Sequence, residues 1–552
     1  MKKPFSLNNR KKGHAAIFLV LTFFFFTIFG CKTQSNQQNL SGDRVFEFGG
    51  AKTSLKIVSG SENRILEPIL ETFSKEKKIN LAIDYQGSLD IMRLLEQETV
   101  PYDAVWPASS LWISVGDTRH RVKHLSSTSI TPVVFGIRES LAKELNFIDR
   151  DVKVRDILDA IEAGKLKFTM TSATQSNSGA SAYIGFLYAL MDNPDVITAE
   201  ALDDPQLKED IRKLLNGIER SSGSSDWLKD LFLQGDYDAM VNYEALIISA
   251  NQILEKEGRE TLHVIYPIDG LTIADSPLGF ISSNNQPDRN ESEQEKAFLE
   301  LQNYLLSDKV QASIQQTGRR TGYGTLANAD KKIFRKEWGI DTDRILSTIN
   351  MPKSDVLLKA LNAYQNEFKK PGYNIYCLDF SGSMASGGSK QLLEALTQVM
   401  EEKNAAVNFL QASQDEVNEF IIFSESIRST YKATGPVELE ALLPKIQAER
   451  ATGGTAIYLT VAEALDKLNT IDRMVYSPSI ILMTDGENNG QLEFRDFEKK
   501  YQASGSDIPV FPILFGSANE DEMDQLASLT RSRVFDGRKD LVNAFKTVRG
   551  YN

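Results

Sequence analysis

The chain has 552 residues, a formal net charge of −13, and a composition that is 41% hydrophobic and 25% charged. That length exceeds what one hydrophobic core serves and points to about two to four domains, and the ordinary composition excludes wholesale disorder. The acidic balance argues against nucleic acid as a partner, because a negative surface repels a phosphate backbone.

Residues 2–12 carry Lys2, Lys3, Arg10, Lys11 and Lys12, and Ala15–Phe29 is almost purely apolar. This run is shorter than the roughly 20 residues a spanning helix needs, and it has the length of a signal-peptide core. It ends in Ile28-Phe29-Gly30-Cys31, which resembles the lipobox of bacterial lipoproteins. The resemblance implies a signal peptide over 1–30 and lipidation of Cys31. The Ser/Gln/Asn-rich stretch that follows suits a flexible tether over 31–50. The alternative is an uncleaved N-terminal anchor, and both readings export the rest of the chain. The remaining cysteine, Cys377, stands in an apolar run and is expected to be a buried, inert thiol. Two cysteines do not make a disulfide framework.

From Leu55 onward β-rich runs alternate with helical patterns. LKIVSG, LAIDY, DAVW, TPVVFGI, KFTM, VIYPID and LGFIS read as strands. Ile65–Lys75, Leu89–Gln97, 154–163 and a pair over 292–317 read as helices. This alternation predicts parallel sheets with helices on both faces, and nearly 300 residues of it predict two lobes. Ligands of open α/β sheets bind beyond the carboxyl ends of strands, and small polar residues gather there: Ser59-Gly60-Ser61, Gly87-Ser88, Ala108-Ser109-Ser110 and Thr171–Ser181. The same residue types also make turns and helix caps.

The order of these loops, with Tyr85-Gln86-Gly87-Ser88, Asp103-Ala104-Val105-Trp106, Ser176–Tyr183 and Val241-Asn242-Tyr243-Glu244, resembles the periplasmic solute-binding proteins, in the branch of the molybdate and sulfate binders. The resemblance covers 51–345. It implies two lobes, a hinge and a small ligand in the cleft, an oxyanion or another small polar solute, with Ser59, Ser61, Ser88, Ser109, Ser178, Ser181 and Tyr243 as ligand-binding candidates. No arginine lies within these loops, so neutral donors would carry recognition.

Residues 346–370 read as a connecting helix. Val356, Leu357, Ala360, Leu361, Tyr364 and Phe368 share one face, and Lys369-Lys370-Pro371-Gly372 ends the pattern.

After Gly372 the strand NIYCLDF runs into Asp379-Phe380-Ser381-Gly382-Ser383, followed by a helix over 389–410. Thr455 stands in a Gly453-Gly454-Thr455 loop, and Asp485 ends a second apolar strand, before Gly486. Three strand-end loops thus offer carboxylates and hydroxyls. The four histidines make no zinc-type motif, so the expected metal is hard and oxygen-bound: Mg²⁺, with Ca²⁺ or Mn²⁺ as alternatives. Asp-x-Ser-x-Ser, Gly-Gly-Thr and Thr-Asp-Gly in this order resemble the metal-ion-dependent adhesion site of von Willebrand factor A domains, over about 371–552. The resemblance implies that Ser381, Ser383 and Thr455 coordinate the metal and that Asp379 and Asp485 act directly or through water. One position is left for a carboxylate of a protein partner.

The expected fold is therefore α/β: a two-lobed clamshell followed by a doubly wound, Rossmann-like von Willebrand factor A domain. The expected function is that of a lipid-anchored, exported binding module that grips an acidic group on a protein through a metal. The alternative is the solute-binding component of a transport system. No Ser-His-Asp order, nucleophile elbow or phosphate loop appears, and no enzyme is expected.

Overall fold

The computed structural model describes residues 43–551 apart from 48, 49, 52, 283–290, 323–325, 327, 328 and 344. The expected signal peptide and Cys31 lie outside the described residues. Residues 31–42 of the expected tether lie outside the described residues as well, and the part that is described includes a strand. Arg44–Phe46 is a strand, paired antiparallel with Leu81–Ile83. Phe46 is buried and Arg44 sits 3.3 Å from Glu67, so burial of an apolar side chain draws this short segment into the sheet.

The first lobe is a six-stranded sheet ordered Arg44–Phe46, Ile79–Gln86, Thr53–Gly60, Ala104–Trp106, Pro277–Ile281, Val122–Ser127. The second lobe is ordered Leu262–Ile265, Thr131–Arg138, Ala239–Tyr243, Phe168–Thr171, Ile218–Ser222, with Thr272–Ala274 also on Thr131–Arg138. Both sheets are mixed, with the expected parallel pairs beside antiparallel ones. Pro277–Ile281 runs antiparallel to both neighbours, and Thr131–Arg138 is antiparallel to all three of its partners. These are the strands that follow a crossing between lobes, and they enter their sheets from the hinge side.

The hinge gathers the crossing segments near 128–130, 276 and 319–320. Ile130 and Arg320 exchange backbone hydrogen bonds of 2.7 and 2.9 Å, and Thr128 N donates to Ser276 O at 3.2 Å. Arg320 grips Glu244 through two bonds of 2.8 Å, with both side chains essentially unexposed.

The connecting segment forms an α-helix over Ser354–Ala363 and continues as a wider π turn over Tyr364–Phe368. Its apolar face packs into the core of the second lobe, where Tyr183 donates to Ala360 O at 2.9 Å. The third sheet follows, ordered Ile427–Thr434, Val417–Phe423, Gly372–Asp379, Ser477–Thr484, Val510–Leu514, Phe535–Asp536. It is parallel except for its first, edge strand. Buried apolar clusters line both of its faces. Cys377 is buried in this sheet, and burial holds its thiol pKa far above the ordinary range. The helix expected over 389–410 is two helices, Gly388–Met400 and Glu402–Ala406. Glu401 leaves the helical conformation between them, and its carboxylate accepts from Asn404 Nδ2 at 2.6 Å.

The third sheet meets the second lobe at the end where its central strands begin. Gln175 Nε2 donates to Lys546 O and Thr547 O, each at 3.3 Å. Arg220 reaches Asp507 Oδ1 at 3.3 Å and Arg531 O at 3.0 Å. The rings of Trp227 and Tyr551 stand 5.0 Å apart. The first lobe touches the same surface, with the Arg93 guanidinium 5.2 Å over the Phe409 ring. The carboxyl ends of the central strands point away from this junction.

Candidate functional site

Asp379 is the last residue of Gly372–Asp379 and is fully buried. Its Oδ1 accepts from Ser381 N at 2.7 Å, and its Oδ2 accepts from Thr484 Oγ1 at 2.6 Å. Ser381 Oγ lies 3.0 Å from Ser383 Oγ, and Ser383 Oγ donates to Asp485 Oδ1 at 2.7 Å. The structure thus joins four of the five expected ligands in one hydrogen-bonded chain. Thr455 completes the set at Gly486: a Cβ placed there would stand 3.4 Å from Thr455 Oγ1 and 3.7 Å from Ser383 Oγ. Asp379, Ser381, Thr455 and Asp485 are buried, whereas Ser383 is exposed, so the cluster opens to solvent through Ser383.

Neighbouring loops lock this arrangement. Gly382 N donates to Gly453 O at 2.9 Å, and Thr452 N donates to Phe380 O at 2.8 Å. Asn489 Oδ1 accepts from Thr455 N at 2.6 Å, and Asn488 Oδ1 accepts from Ile457 N at 3.0 Å. Gly453 has φ +83°, and a Cβ there would collide with the Glu425 carboxylate, so this position requires glycine. Burial, with Asp485 beside it, raises the Asp379 carboxyl above the usual range, and the bonds from Thr484 and Ser381 oppose that rise. Glu425 sits on the rim with its carboxyl held below the usual range by its own backbone N–H, the Ser424 hydroxyl and the Gly454 N–H.

Among the described residues no three His, Cys, Asp or Glu side chains converge on one point. The donor set is two carboxylates and three hydroxyls, all hard oxygens, and it fits Mg²⁺ better than a soft metal. Thr484, Asn489 and Glu425 were not legible as site residues in the sequence. Thr484 stands in the Thr-Asp-Gly motif without a role of its own there, and the roles of all three follow from register and loop packing.

The cleft candidates are placed differently. Ser59 Oγ lies 3.2 Å from Gly60 O and accepts from Asn63 Nδ2 at 3.0 Å. Ser88 accepts from Ala108 N at 3.2 Å, and Ser109 caps its helix by accepting from Leu111 N at 3.3 Å. Ser178 Oγ is 2.8 Å from Thr171 Oγ1 and 2.7 Å from Ser225 Oγ. Ser181 donates to Asn177 Oδ1 at 3.3 Å, and Tyr243 OH accepts from Asn177 Nδ2 at 2.9 Å. Each of these hydroxyls has a partner inside its own lobe. Ser61 alone of the seven reaches across, 3.4 Å from Ser224 Oγ of the second lobe. The sequence showed no arginine here, yet the fold brings Arg319 to Glu62 O at 2.7 Å over a separation of 257 positions.

Residues 55–320 match the family model of bacterial extracellular solute-binding proteins, and residues 375–545 match that of the von Willebrand factor type A domain. No curated protein matches the chain in sequence. Among solved structures, the chain is similar to the periplasmic binding protein AfuA from Actinobacillus pleuropneumoniae, at 15% identity and TM-score 0.40, over 57% of this chain and 99% of that one. It is also similar to the sulfate-binding protein SubI from Mycobacterium tuberculosis, at 15% identity and TM-score 0.37, over 55% and 96% of the two chains. A von Willebrand factor type A protein from Catenulispora acidiphila aligns at 16% identity and TM-score 0.27, over 34% of this chain and 43% of that one. No helix among the described residues is long and apolar enough to cross a membrane.

Proposed function

We propose that this chain is an exported, non-enzymatic binding module, anchored by lipid at Cys31, whose von Willebrand factor A domain grips a carboxylate of a protein partner through Mg²⁺. The observation that carries this reading is the chain of hard oxygens Asp379–Ser381–Ser383–Asp485, with Thr455 beside it, opening to solvent. When bound, the ion supplies a positive centre for an anionic partner group. The protein's part is positional. Thr484 and Ser381 N hold the Asp379 carboxylate in place, and Asn489 fixes the backbone of Thr455. Hydroxyls outnumber carboxylates in the set, so the ion's charge is left available to a partner acid. The site also faces away from the junction with the second lobe, where a large partner finds room.

The test is calorimetric titration of the full chain with Mg²⁺, alongside Asp379→Ala and Ser381→Ala. Both variants are expected to lose most of the affinity. Unchanged affinity in both would remove the basis of the proposal.

A further inference from the structure

Two buried, oppositely charged groups in the cleft attract each other, yet among the described residues they make no direct ion pair. Glu62, on the turn after the first lobe's central strand, is 8% exposed, and Arg319, on a hinge crossing, is 2% exposed. The Arg319 guanidinium donates to neutral oxygens: Asn63 Oδ1 at 3.0 Å, Ser129 Oγ and Ser276 Oγ at 3.1 Å, and Glu62 O at 2.7 Å. Among the described residues its Nε, and Glu62 Oε1, have no hydrogen-bond partner. Burying an unmatched charge, or an unbonded polar atom, is costly, and such atoms call for a ligand.

The surroundings give the ligand's chemistry. Tyr243 of the second lobe lies within electrostatic reach of both groups, so lobe one, hinge and lobe two converge here. Asp226, the other carboxylate facing Glu62, is already matched by Lys229 at 2.8 Å. What remains is one acceptor, Glu62 Oε1, and one donor, Arg319 Nε, on groups of opposite charge. A doubly charged oxyanion would meet one guanidinium and be repelled by Glu62. A molecule bearing one ammonium and one carboxylate answers both. Burial raises the Glu62 carboxyl above its usual range, against the pull of Arg319, and a bound ammonium would favour its charged form.

We propose that the cleft takes a small zwitterion of the free α-amino acid class, with its ammonium on Glu62, its carboxylate on Arg319, and the facing Ser61 and Ser224 hydroxyls beside them. This rests on reading residues 55–320 as a solute-binding domain. The test is calorimetric titration of the full chain with each of the proteinogenic L-amino acids, with sulfate and with inorganic phosphate, repeated on Glu62→Gln after its melting temperature is matched to wild type. At least one amino acid is expected to bind, and the variant to bind it about 30-fold more weakly or worse. Sulfate or phosphate binding without any amino acid overturns the zwitterion but leaves the solute-binding reading intact. Binding of none of these probes overturns both. An amino acid bound equally by wild type and Glu62→Gln overturns the assignment of Glu62. Titration of wild type decides the ligand class even if the variant fails to fold.

Discussion

Tyr551 fastens the von Willebrand factor A domain to the second lobe, and its removal has a calculable consequence. The side chain is 3% exposed. Its ring stands 5.0 Å from Trp227 of the second lobe, and 5.1 and 6.1 Å from Phe535 and Phe511 of its own domain. Its hydroxyl accepts from Arg533 at 3.2 Å. A Cβ on Gly223 would overlap this ring, and one on Gly550 would overlap the Gln175 amide, so the seam has no slack for neighbours to refill. Truncating a buried aromatic residue to alanine costs about 3–5 kcal/mol. In a domain of this size each kcal/mol moves the melting temperature by about 2–4 °C. Tyr551→Ala should therefore lower the transition of the third domain by about 6–20 °C, whereas Tyr551→Phe, which loses one hydrogen bond worth about 1 kcal/mol, should shift it by only a few degrees. Scanning calorimetry of the full chain measures the transition, and tryptophan fluorescence reports separation at Trp227. If Tyr551→Ala melts within about 2 °C of wild type with unchanged emission, the seam does not rest on this ring.

Two further predictions concern the metal loop and the junction. Gly453→Ala places a side chain at φ +83° against Glu425, and it should weaken Mg²⁺ binding with little change in the melting of residues 55–320; equal Mg²⁺ affinity would show that the loop adapts. At the junction, burial, with Arg549 adding and Glu416 opposing, pushes the Lys369 ammonium down to about 8, below its unfolded value of about 10.4. Between these values the folded chain holds fewer protons than the unfolded chain, so stability rises with pH across that window. Part of the side chain is exposed, which reduces the effect to about 1–2 kcal/mol. Lys369→Met should be the more stable protein near pH 7.5, with that advantage shrinking towards about pH 9.5; urea unfolding at both values checks this, and a gap independent of pH would contradict it.

How much of this was legible in the sequence depends on how local each feature is. The ligands Asp379, Ser381, Ser383 and Asp485 sit at or beside the ends of apolar strands, so pattern and chemistry coincide within a few residues. Thr484 was visible as the first residue of the Thr-Asp-Gly motif but not as a site residue; that its hydroxyl turns onto Asp379 follows from the pairing of neighbouring strands. Glu401 breaks its helix with no glycine or proline to announce it. The strand Arg44–Phe46 was hidden because its three residues are too few for a period. The cleft shows the same limit more sharply. Serines at strand ends were found readily, but most of them serve their own turns and caps. Arg319, which touches both the first lobe and two hinge serines, follows a helix far along the chain and carries no motif. The junction was equally silent, since Gln175 and Tyr551 look like ordinary loop and terminal residues until the fold brings them together.

The central claim is that one hard cation at Asp379, Ser381, Ser383, Thr455 and Asp485 leaves a position open to a carboxylate. Titration of the full chain with Mn²⁺, followed by the relaxation of water protons, tests this most directly. The account predicts one saturable site whose bound ion relaxes water, a fall in that relaxation when an acidic peptide is added, and loss of the site in Asp485→Ala. A site that persists in Asp485→Ala, or whose water relaxation ignores the peptide, would contradict it.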